Sequence, residues 1–178
     1  AVVADGHKWL LGPEGAGLLA TTPELRQSIR PAITGWRNIR RETGSFFLHD
    51  LELHESGRRF EPGATNTAGI SGLGAALELM TSVGTDQIRA GDDVLSRLLT
   101  RVLLAHGWDV FSPGSGQPIA GIVAARPPGI SPDEAVERLA QRKVVCSVRQ
   151  GSVRISPHFY TTKGEIEAFD RILEKVGL

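Results

Sequence analysis

One lysine lies where a side-chain amine could do covalent chemistry. Lys8 is placed between a glycine–histidine pair and an apolar Trp-Leu-Leu run, and glycine and proline residues follow directly behind. An apolar neighbourhood removes water from an amine and so favours its neutral form. Because only the neutral amine attacks a carbonyl, this setting suits a Schiff-base lysine, and His7 adds a ring N–H beside it. The alternative is a lysine whose stem covers apolar surface at a strand end while its amine stays in water.

A second candidate for chemistry is Arg154, near the end of the chain. A strand over residues 152–156 would place Val153 and Ile155 on one face and Arg154 with two serines on the other. A guanidinium held among hydroxyls can bind a carboxylate through two hydrogen bonds. The alternative is an exposed edge arginine that pairs with an acidic residue of a helix.

The third candidate is a helix N-terminus. Thr65, Asn66 and Thr67 lie where the N-cap of a helix over residues 71–80 belongs. The unpaired N–H groups and the positive dipole end of such a terminus can hold a phosphate. An ordinary capped helix without a ligand is the alternative.

A metal site is the weakest candidate in the sequence. On a strand, Asp50, Glu52 and His54 would share one face while His49 points away. No fourth ligand accompanies them, so we expect a solvated sheet edge and no metal.

The elements that position the first and third candidates lie in the first half of the chain. Apolar runs at residues 1–4 and 17–21 predict two short buried strands on either side of a glycine-rich turn. Thr22 and Pro23 predict the start of a helix that ends near Pro31. Residues 35–63 form a long, polar and weakly periodic connection, which is typical of a functional segment.

The second half of the chain has the pattern of a small α+β domain, an antiparallel sheet with helices on one side. Helices are expected over residues 86–106, 131–142 and from Thr161 or Thr162 onward, and strands over 108–111, 119–125, 144–148 and 152–156. A tight turn at residues 150–151 is expected to join the last two strands.

Three segments, in this order, resemble the class V aminotransferases. GHKWLLGPEGAG resembles the lysine loop of the family, RFEPGATNTAGISGLGAALEL is similar to its "RFE-x-G-T-x-N" segment, and VRQGSVRISPHFYTTKGEIEAFDRIL looks like its closing motif. The family has the type I fold of pyridoxal-phosphate enzymes and includes cysteine desulfurases, selenocysteine lyases and isopenicillin N epimerase-like members.

The resemblance implies an α/β fold divided into two parts. Residues 1–90 would be the end of the large cofactor-binding domain, and residues 91–178 the small C-terminal α+β domain. In the family the lysine lies past the middle of the chain, whereas here it is the eighth residue. The chain is therefore expected to be the C-terminal half of a longer protein, and by itself to bind the cofactor poorly.

The resemblance also implies roles for single residues. Lys8 would form a Schiff base with pyridoxal 5′-phosphate and then move the Cα proton of an amino-acid substrate, with His7 near the cofactor. Arg154 would bind the substrate α-carboxylate, and Arg149 matches the "R-x-G" position of the family. At Asp5 the family often has a serine or threonine that contacts the cofactor phosphate.

A phosphate contact across a homodimer interface is implied for the middle segment. The family places a threonine at the position of Ala64, and this chain has Thr65 one residue later, beside Asn66. Thr65 is therefore the candidate for reaching the cofactor of the neighbouring subunit.

Cys146, the single cysteine of the chain, bears on the type of reaction. Cysteine desulfurases of the family carry a nucleophilic cysteine on a loop between the "R-x-G" and the carboxylate arginine, and Arg149 and Arg154 leave no room for it. Cys146 is expected to be a small buried residue. This disfavours persulfide-forming desulfurase chemistry and leaves lyase, epimerase or transaminase activity open. A non-catalytic remnant or interaction module with the same fold is the alternative to an enzyme.

The composition of the chain argues against two classes of binding partner and predicts a compartment. The formal net charge is zero, and no run of lysine or arginine exceeds a pair, which argues against nucleic acid or an anionic membrane as a partner. A single cysteine cannot form an internal disulfide, so a reducing, cytoplasmic compartment is expected.

Overall fold

The computed structural model describes residues 1–40, 52–111 and 121–178, which form two compact units, residues 1–82 and 83–178. Both are built from strands and helices, as expected for the C-terminal part of the α/β fold. The boundary between the units lies shortly before the predicted domain boundary at residue 90. The assignment of the units to the large and small domains of the family stays a prediction.

The first unit begins with a pair of short antiparallel strands. Strand β1 (Val2–Asp5) pairs with β2 (Gly17–Ala20), so that Val2 lies opposite Ala20 and Asp5 opposite Gly17. Helix α1 (Pro23–Ser28) follows, and the Thr22 hydroxyl accepts a hydrogen bond from the Leu25 N–H at 3.3 Å, which confirms the predicted cap. A 3₁₀ turn (Gly57–Phe60) and helix α2 (Thr67–Val83) complete the unit.

The predicted burial of β1 and β2 is wrong. Val2 and Val3 are 67% and 76% exposed, and Leu18 and Leu19 are 43% and 50% exposed. A two-stranded sheet buries its faces only against another layer of structure, and the described residues leave both faces of this pair open. The apolar runs indicated the strands correctly, but a run alone does not show whether a layer covers them.

The second unit contains an antiparallel four-stranded sheet, as predicted. Strands β3 (Asp109–Val110), β4 (Val123–Arg126), β5 (Ser147–Arg149) and β6 (Ser152–Ile155) lie in the order β3-β4-β6-β5. Helix α3 (Thr85–Ala105) contacts β3 and β4, helix α4 (Pro132–Ala140) contacts β5 and β6, and helix α5 (Lys163–Val176) contacts both other helices.

One continuous apolar core holds this second unit together. Leu99, Leu103, Val123, Val153 and Leu173 are all 0% exposed and belong to the same packed cluster. Because Val123 and Val153 come from neighbouring strands and the leucines from helices, the core joins the sheet to its helices.

Helix ends in the second unit follow local hydrogen-bonding rules. Ser131 caps α4 at the predicted start of that helix, and Thr162, one of the two predicted candidates, caps α5 and forms a reciprocal capping box with Glu165. The strand predicted over residues 144–148 begins later, at Ser147. The reason is the end of α4, where Lys143 takes a left-handed φ of 63° and the Val144 N–H donates to the Leu139 carbonyl at 3.0 Å.

Candidate functional site

The lysine segment is a closed turn that follows β1. The Gly6 N–H donates to the Ala16 carbonyl at 2.9 Å, and the Gly12 N–H donates to the Gly6 carbonyl at 2.7 Å. Within it, the Leu11 N–H donates to the Lys8 carbonyl at 3.1 Å. Backbone hydrogen bonds at both ends therefore fix where the Lys8 side chain leaves the chain.

The predicted desolvation of Lys8 is wrong in this structure. The Lys8 side chain is 67% exposed and forms an ion pair with Asp5, which is 55% exposed. Trp9 is itself 44% exposed, so the apolar run does not enclose the amine. The hydrogen bond and charge of Lys8 lower the pKa of the Asp5 carboxyl. Asp5, at the position where the family often has a serine or threonine, therefore contacts the lysine, and His7 is exposed beside it.

Asn66 connects the lysine segment to the start of α2. Its Oδ1 accepts a hydrogen bond from the Gly69 N–H at 3.0 Å, which makes Asn66 the cap of α2 among the three candidates. Its Nδ2 donates to the Gly15 carbonyl at 3.1 Å. A Cβ on Gly69 would lie 2.3 Å from that nitrogen, so glycine is required for this contact. One side chain thus holds the end of the lysine turn against the helix N-terminus.

The sequence reading missed Arg37, which contacts Thr65. Arg37 Nη1 donates to Thr65 Oγ1 at 3.3 Å, and Arg37 Nε lies 3.7 Å from Glu61 Oε2. The same Nε atom is buried and has no hydrogen-bond acceptor among the described residues. Arg37 lies in the long polar connection, where no periodicity indicated its role.

Asn38 is the second residue that was missed, and it explains why Arg37 lies beside Thr65. Asn38 is 0% exposed. Its Oδ1 accepts from the Gly35 N–H at 2.9 Å, and its Nδ2 donates to the carbonyls of Ile33 and Arg59 at 2.9 and 3.2 Å. Because these partners lie on both sides of the long connection, Asn38 joins its start to its end. The sequence around Asn38, with Arg37 before it and Ile39 after it, carries no signal for this role.

Arg154 lies on the exposed face of the second unit's sheet. Its strand neighbours are Ala124 on β4 and Ser147 on β5, and the residue is exposed. The guanidinium makes no hydrogen bond or ion pair with any residue in the described ranges, so the predicted alternative of pairing with a helix acid is not observed. Arg149 is also exposed, and its Nη1 donates to the adjacent Val148 carbonyl at 2.9 Å.

The structure therefore groups the candidates into two sets. His7, Lys8, Thr65 and Asn66 belong to the first unit, whereas Arg149 and Arg154 belong to the second. The hydrogen bond from Asn66 joins the lysine segment to the helix terminus within the first set.

Cys146 has the environment of an unreactive thiol. It is half-buried at the edge of the apolar core, and this burial raises the pKa of the thiol. A two-residue turn, Gln150 and Gly151, connects β5 to β6 directly, with φ angles of 49° and 70°. No loop that could carry a second nucleophile is inserted between Arg149 and Arg154.

No group of three or more His, Cys, Asp or Glu side chains within the described ranges is arranged to hold a metal ion. Glu52 forms an exposed ion pair with Arg40 at 3.1 Å, as expected for a solvated edge. His49 and Asp50, which completed the tested pattern, lie outside the described residues.

A cavity of about 350 Å³ in the second unit lies apart from the two arginines there. It is bounded mainly by apolar side chains of α5 and by the segments before β5 and after β6, and neither Arg149 nor Arg154 lines it. Separately, none of the helices described has the length and hydropathy needed to cross a membrane.

Comparison with known proteins gives consistent matches along the chain. The family model "aminotransferase class-V" matches residues 1–169. An uncharacterized aminotransferase, YcbU, from Bacillus subtilis is 30% identical over 98% of this chain and 45% of its own length. A probable cysteine desulfurase from Pyrococcus abyssi is 28% identical over 97% of this chain and 45% of its own length.

Solved structures agree with these relatives. The apo structure of a cysteine desulfurase from Thermococcus onnurineus NA1 has a TM-score of 0.87 at 26% identity, covering 99% of this chain and 47% of its own. The cystine C–S lyase C-DES, in complex with its product cysteine persulfide, has a TM-score of 0.82 at 26% identity, covering 94% and 44%. The chain thus spans about half the length of the relatives it matches.

Proposed function

Because the chain belongs to the aminotransferase class-V family, we propose that the protein containing it is an enzyme that uses pyridoxal 5′-phosphate to act on an amino acid. The observation that carries the proposal is the Lys8 turn. It presents an accessible amine on a segment closed by backbone hydrogen bonds and tied through Asn66 to the N-terminus of α2. A C-DES variant solved with glycine covalently linked to its pyridoxal-phosphate cofactor is 26% identical to this chain.

The residues present fit this cofactor. An aldehyde needs an amine that it can reach, and the Lys8 side chain is open to solvent. A phosphate needs hydrogen-bond donors that are not already used, and the Thr65 hydroxyl hydrogen has no acceptor among the described residues, while Arg37, whose buried Nε also lacks one, contacts that hydroxyl. Thr65 lies beside Arg37 and supplies this hydroxyl, whereas the N–H groups of Thr67 and Gly69 in the first turn of α2 already donate to Thr65 and Asn66.

The roles we propose follow from these positions. When bound, pyridoxal phosphate supplies an electron sink that weakens the bonds at the Cα of an amino acid. Lys8 would hold the cofactor and, once the substrate amine has displaced its own amine, would move the proton at the substrate Cα, with His7 adjacent. Arg154, whose guanidinium has no partner in the described structure, binds the substrate carboxylate with Arg149 nearby in sequence.

The reaction belongs to one of four types: lyase, epimerase, transaminase or desulfurase. A desulfurase that forms a persulfide on its own cysteine needs an accessible thiolate, and the environment of Cys146 favours the protonated thiol. We therefore place a Cys146-dependent desulfurase last. Cleavage of a carbon–sulfur bond without that cysteine stays open, because C-DES is a cystine C–S lyase of similar fold.

We further propose a cytoplasmic homodimer in which Thr65 reaches the cofactor phosphate of the partner subunit. The support for the dimer is the match of residues 59–66 to the family segment that crosses the subunit interface.

A non-catalytic module with the same fold is the second candidate. Two observations favour it: Lys8 is exposed and paired with Asp5, and β1 and β2 expose apolar side chains on both faces. Such a surface suits binding to another protein better than holding a small molecule.

Absorbance of the purified protein with added pyridoxal phosphate separates the two candidates. The complete protein that contains this chain should develop a visible band that disappears in Lys8→Ala and persists in the control Lys143→Ala. The 178-residue chain alone should show a much weaker band. A complete protein with no band, or with a band unchanged in Lys8→Ala, would support the non-catalytic module.

A further inference from the structure

The Thr65 hydroxyl is held from one side only. Arg37 Nη1 donates to Thr65 Oγ1 at 3.3 Å, and a guanidinium can donate but never accept. The Thr65 hydroxyl therefore cannot donate its hydrogen to Arg37. Within the described ranges no acceptor receives it, so it is available to an acceptor from outside the chain.

Arg37 itself is held firmly in this place. The Arg37 N–H donates to the Pro62 carbonyl at 3.4 Å, and the neighbouring Asn38 is fully buried with its amide hydrogen-bonded on both sides. A Cβ on Gly35 would lie 2.2 Å from the Pro62 oxygen, so the close approach of the two segments requires glycine at that position. The contact between Arg37 and Thr65 is thus imposed by the backbone around it.

The ion pair with Glu61 offsets part of the charge of Arg37 but does not use its hydrogen-bond donors. Glu61 lies 3.7 Å from Arg37 Nε, beyond hydrogen-bond distance, and is 45% exposed. A guanidinium that donates to a hydroxyl also polarises it, which makes the hydroxyl a stronger donor to a third group.

We infer that Arg37 is a positioning residue that orients Thr65 as a hydrogen-bond donor to a cofactor phosphate, which in the proposed homodimer is that of the partner subunit. This inference rests on the proposed function and adds to it a residue for which the family motif gives no role. It also accounts for the sequence change at this point. The family threonine is replaced by Ala64, and the hydroxyl of Thr65 needs another side chain to orient it from its shifted position.

The test measures ligand affinity and needs neither turnover nor Lys8. Pyridoxine 5′-phosphate and pyridoxine both lack the aldehyde and differ only in the phosphate, so their affinity ratio reports the phosphate contact alone. Titration calorimetry on the complete protein would give this ratio for the wild type, Arg37→Ala, Arg37→Lys, Thr65→Val and Thr65→Ser. Arg40→Ala is the matched control, because Arg40 lies three residues along and pairs with Glu52 in solvent.

The expected pattern is selective and non-additive. Arg37→Ala and Thr65→Val should each weaken the binding of pyridoxine 5′-phosphate about tenfold, because a hydrogen bond to a charged group is lost. The affinity for pyridoxine should not change. The double variant should lose little more than either single one. Arg37→Lys and Thr65→Ser should recover part of the affinity, and Arg40→Ala should match the wild type.

Two results would overturn the inference in distinguishable ways. If the wild type favours the phosphorylated ligand but Arg37→Ala keeps that preference, or loses both ligands equally, Arg37 does not position the phosphate contact. If the wild type itself does not favour the phosphorylated ligand, the proposed cofactor function fails and the inference fails with it.

Discussion

The two units of the chain differ in how far they bury their apolar residues. In the second unit, Leu99, Leu103 and Leu173 are completely buried in one cluster that joins the sheet to its helices. In the first unit, β1 and β2 leave Val3 76% and Leu19 50% exposed. The second unit therefore has an apolar core of its own. The first unit carries most of the candidate cofactor residues, and its described residues leave β1 and β2 exposed.

Most residues proposed for cofactor binding therefore lie outside the unit with the larger apolar core. Lys8, Thr65 and Arg37 lie in the unit that buries less, and their positions depend on specific hydrogen bonds from Asn66 and Asn38. Arg154 lies in the other unit, on a strand whose neighbouring residue Val153 is anchored in the core. We expect Arg154, the proposed substrate-binding arginine, to keep its position in the 178-residue chain alone, and the lysine turn to need further covering.

Separating the units should have the largest effect. Residues 83–178 are expected to fold alone and to unfold cooperatively, because their apolar cluster is complete within that range. Residues 1–82 alone are expected to give no cooperative transition. Circular dichroism during heating measures both, and a sharp transition in residues 1–82 would remove the contrast.

Matched leucine substitutions should show the same contrast at single positions. Leu103→Ala removes a fully buried side chain and is expected to lower the free energy of unfolding by about 2–5 kcal/mol. Leu19→Ala, on an exposed strand, should change it by less than about 0.5 kcal/mol. Urea unfolding of the 178-residue chain measures both, and equal effects would show that β2 is covered in solution.

Helix caps offer a smaller, matched test. Thr162→Ala breaks the capping box of α5, a helix that buries Ile166, Phe169 and Leu173, and should cost about 1 kcal/mol. Thr22→Ala removes the cap of α1, which buries no residue, and should leave the global unfolding midpoint unchanged. Thr162→Ser is the control that retains the hydroxyl. A larger loss for Thr22→Ala would contradict the account.

The smallest effects concern two carboxyls, one in each unit. Hydrogen bonds from Thr162 lower the pKa of Glu165, and the Lys8 amine lowers the pKa of Asp5. Folding lowers both pKa values, so each ionised carboxyl stabilises the folded state. This stabilisation is complete above the ordinary carboxyl pKa and is lost as the pH falls through the lowered pKa. Carboxyl titration by NMR should show Asp5 returning to its ordinary range in Lys8→Ala while Glu165 does not change. An unchanged Asp5 would mean that the ion pair is absent in solution.

Local sequence rules predicted the elements well because their causes are local. The helix starts at Thr22, at Ser131 and at Thr161 or Thr162 could be predicted because a hydroxyl before a first helical turn has one favourable arrangement, and the structure selects Thr162 of the last two. The turn at Gln150 and Gly151 followed from the need for positive φ angles between two strands.

The site was harder to predict because its contacts are tertiary. Lys8 was expected to be desolvated from its apolar neighbours, but the side chain turns to Asp5, three residues earlier. Arg37 and Thr65 are far apart in the sequence, and the buried amide of Asn38 and the hydrogen bond from the Arg37 N–H to the Pro62 carbonyl bring their segments together. The weak periodicity of residues 35–63 does not predict a contact between Arg37 and Thr65.

The most direct test of the central claim is chemical trapping of the lysine. The complete protein would be incubated with pyridoxal phosphate, reduced with borohydride, digested and analysed by mass spectrometry. The account predicts a phosphopyridoxyl group on Lys8 and none on Lys143, Lys163 or Lys175. Labelling spread over the other lysines, with Lys8 no more modified than they are, would contradict it.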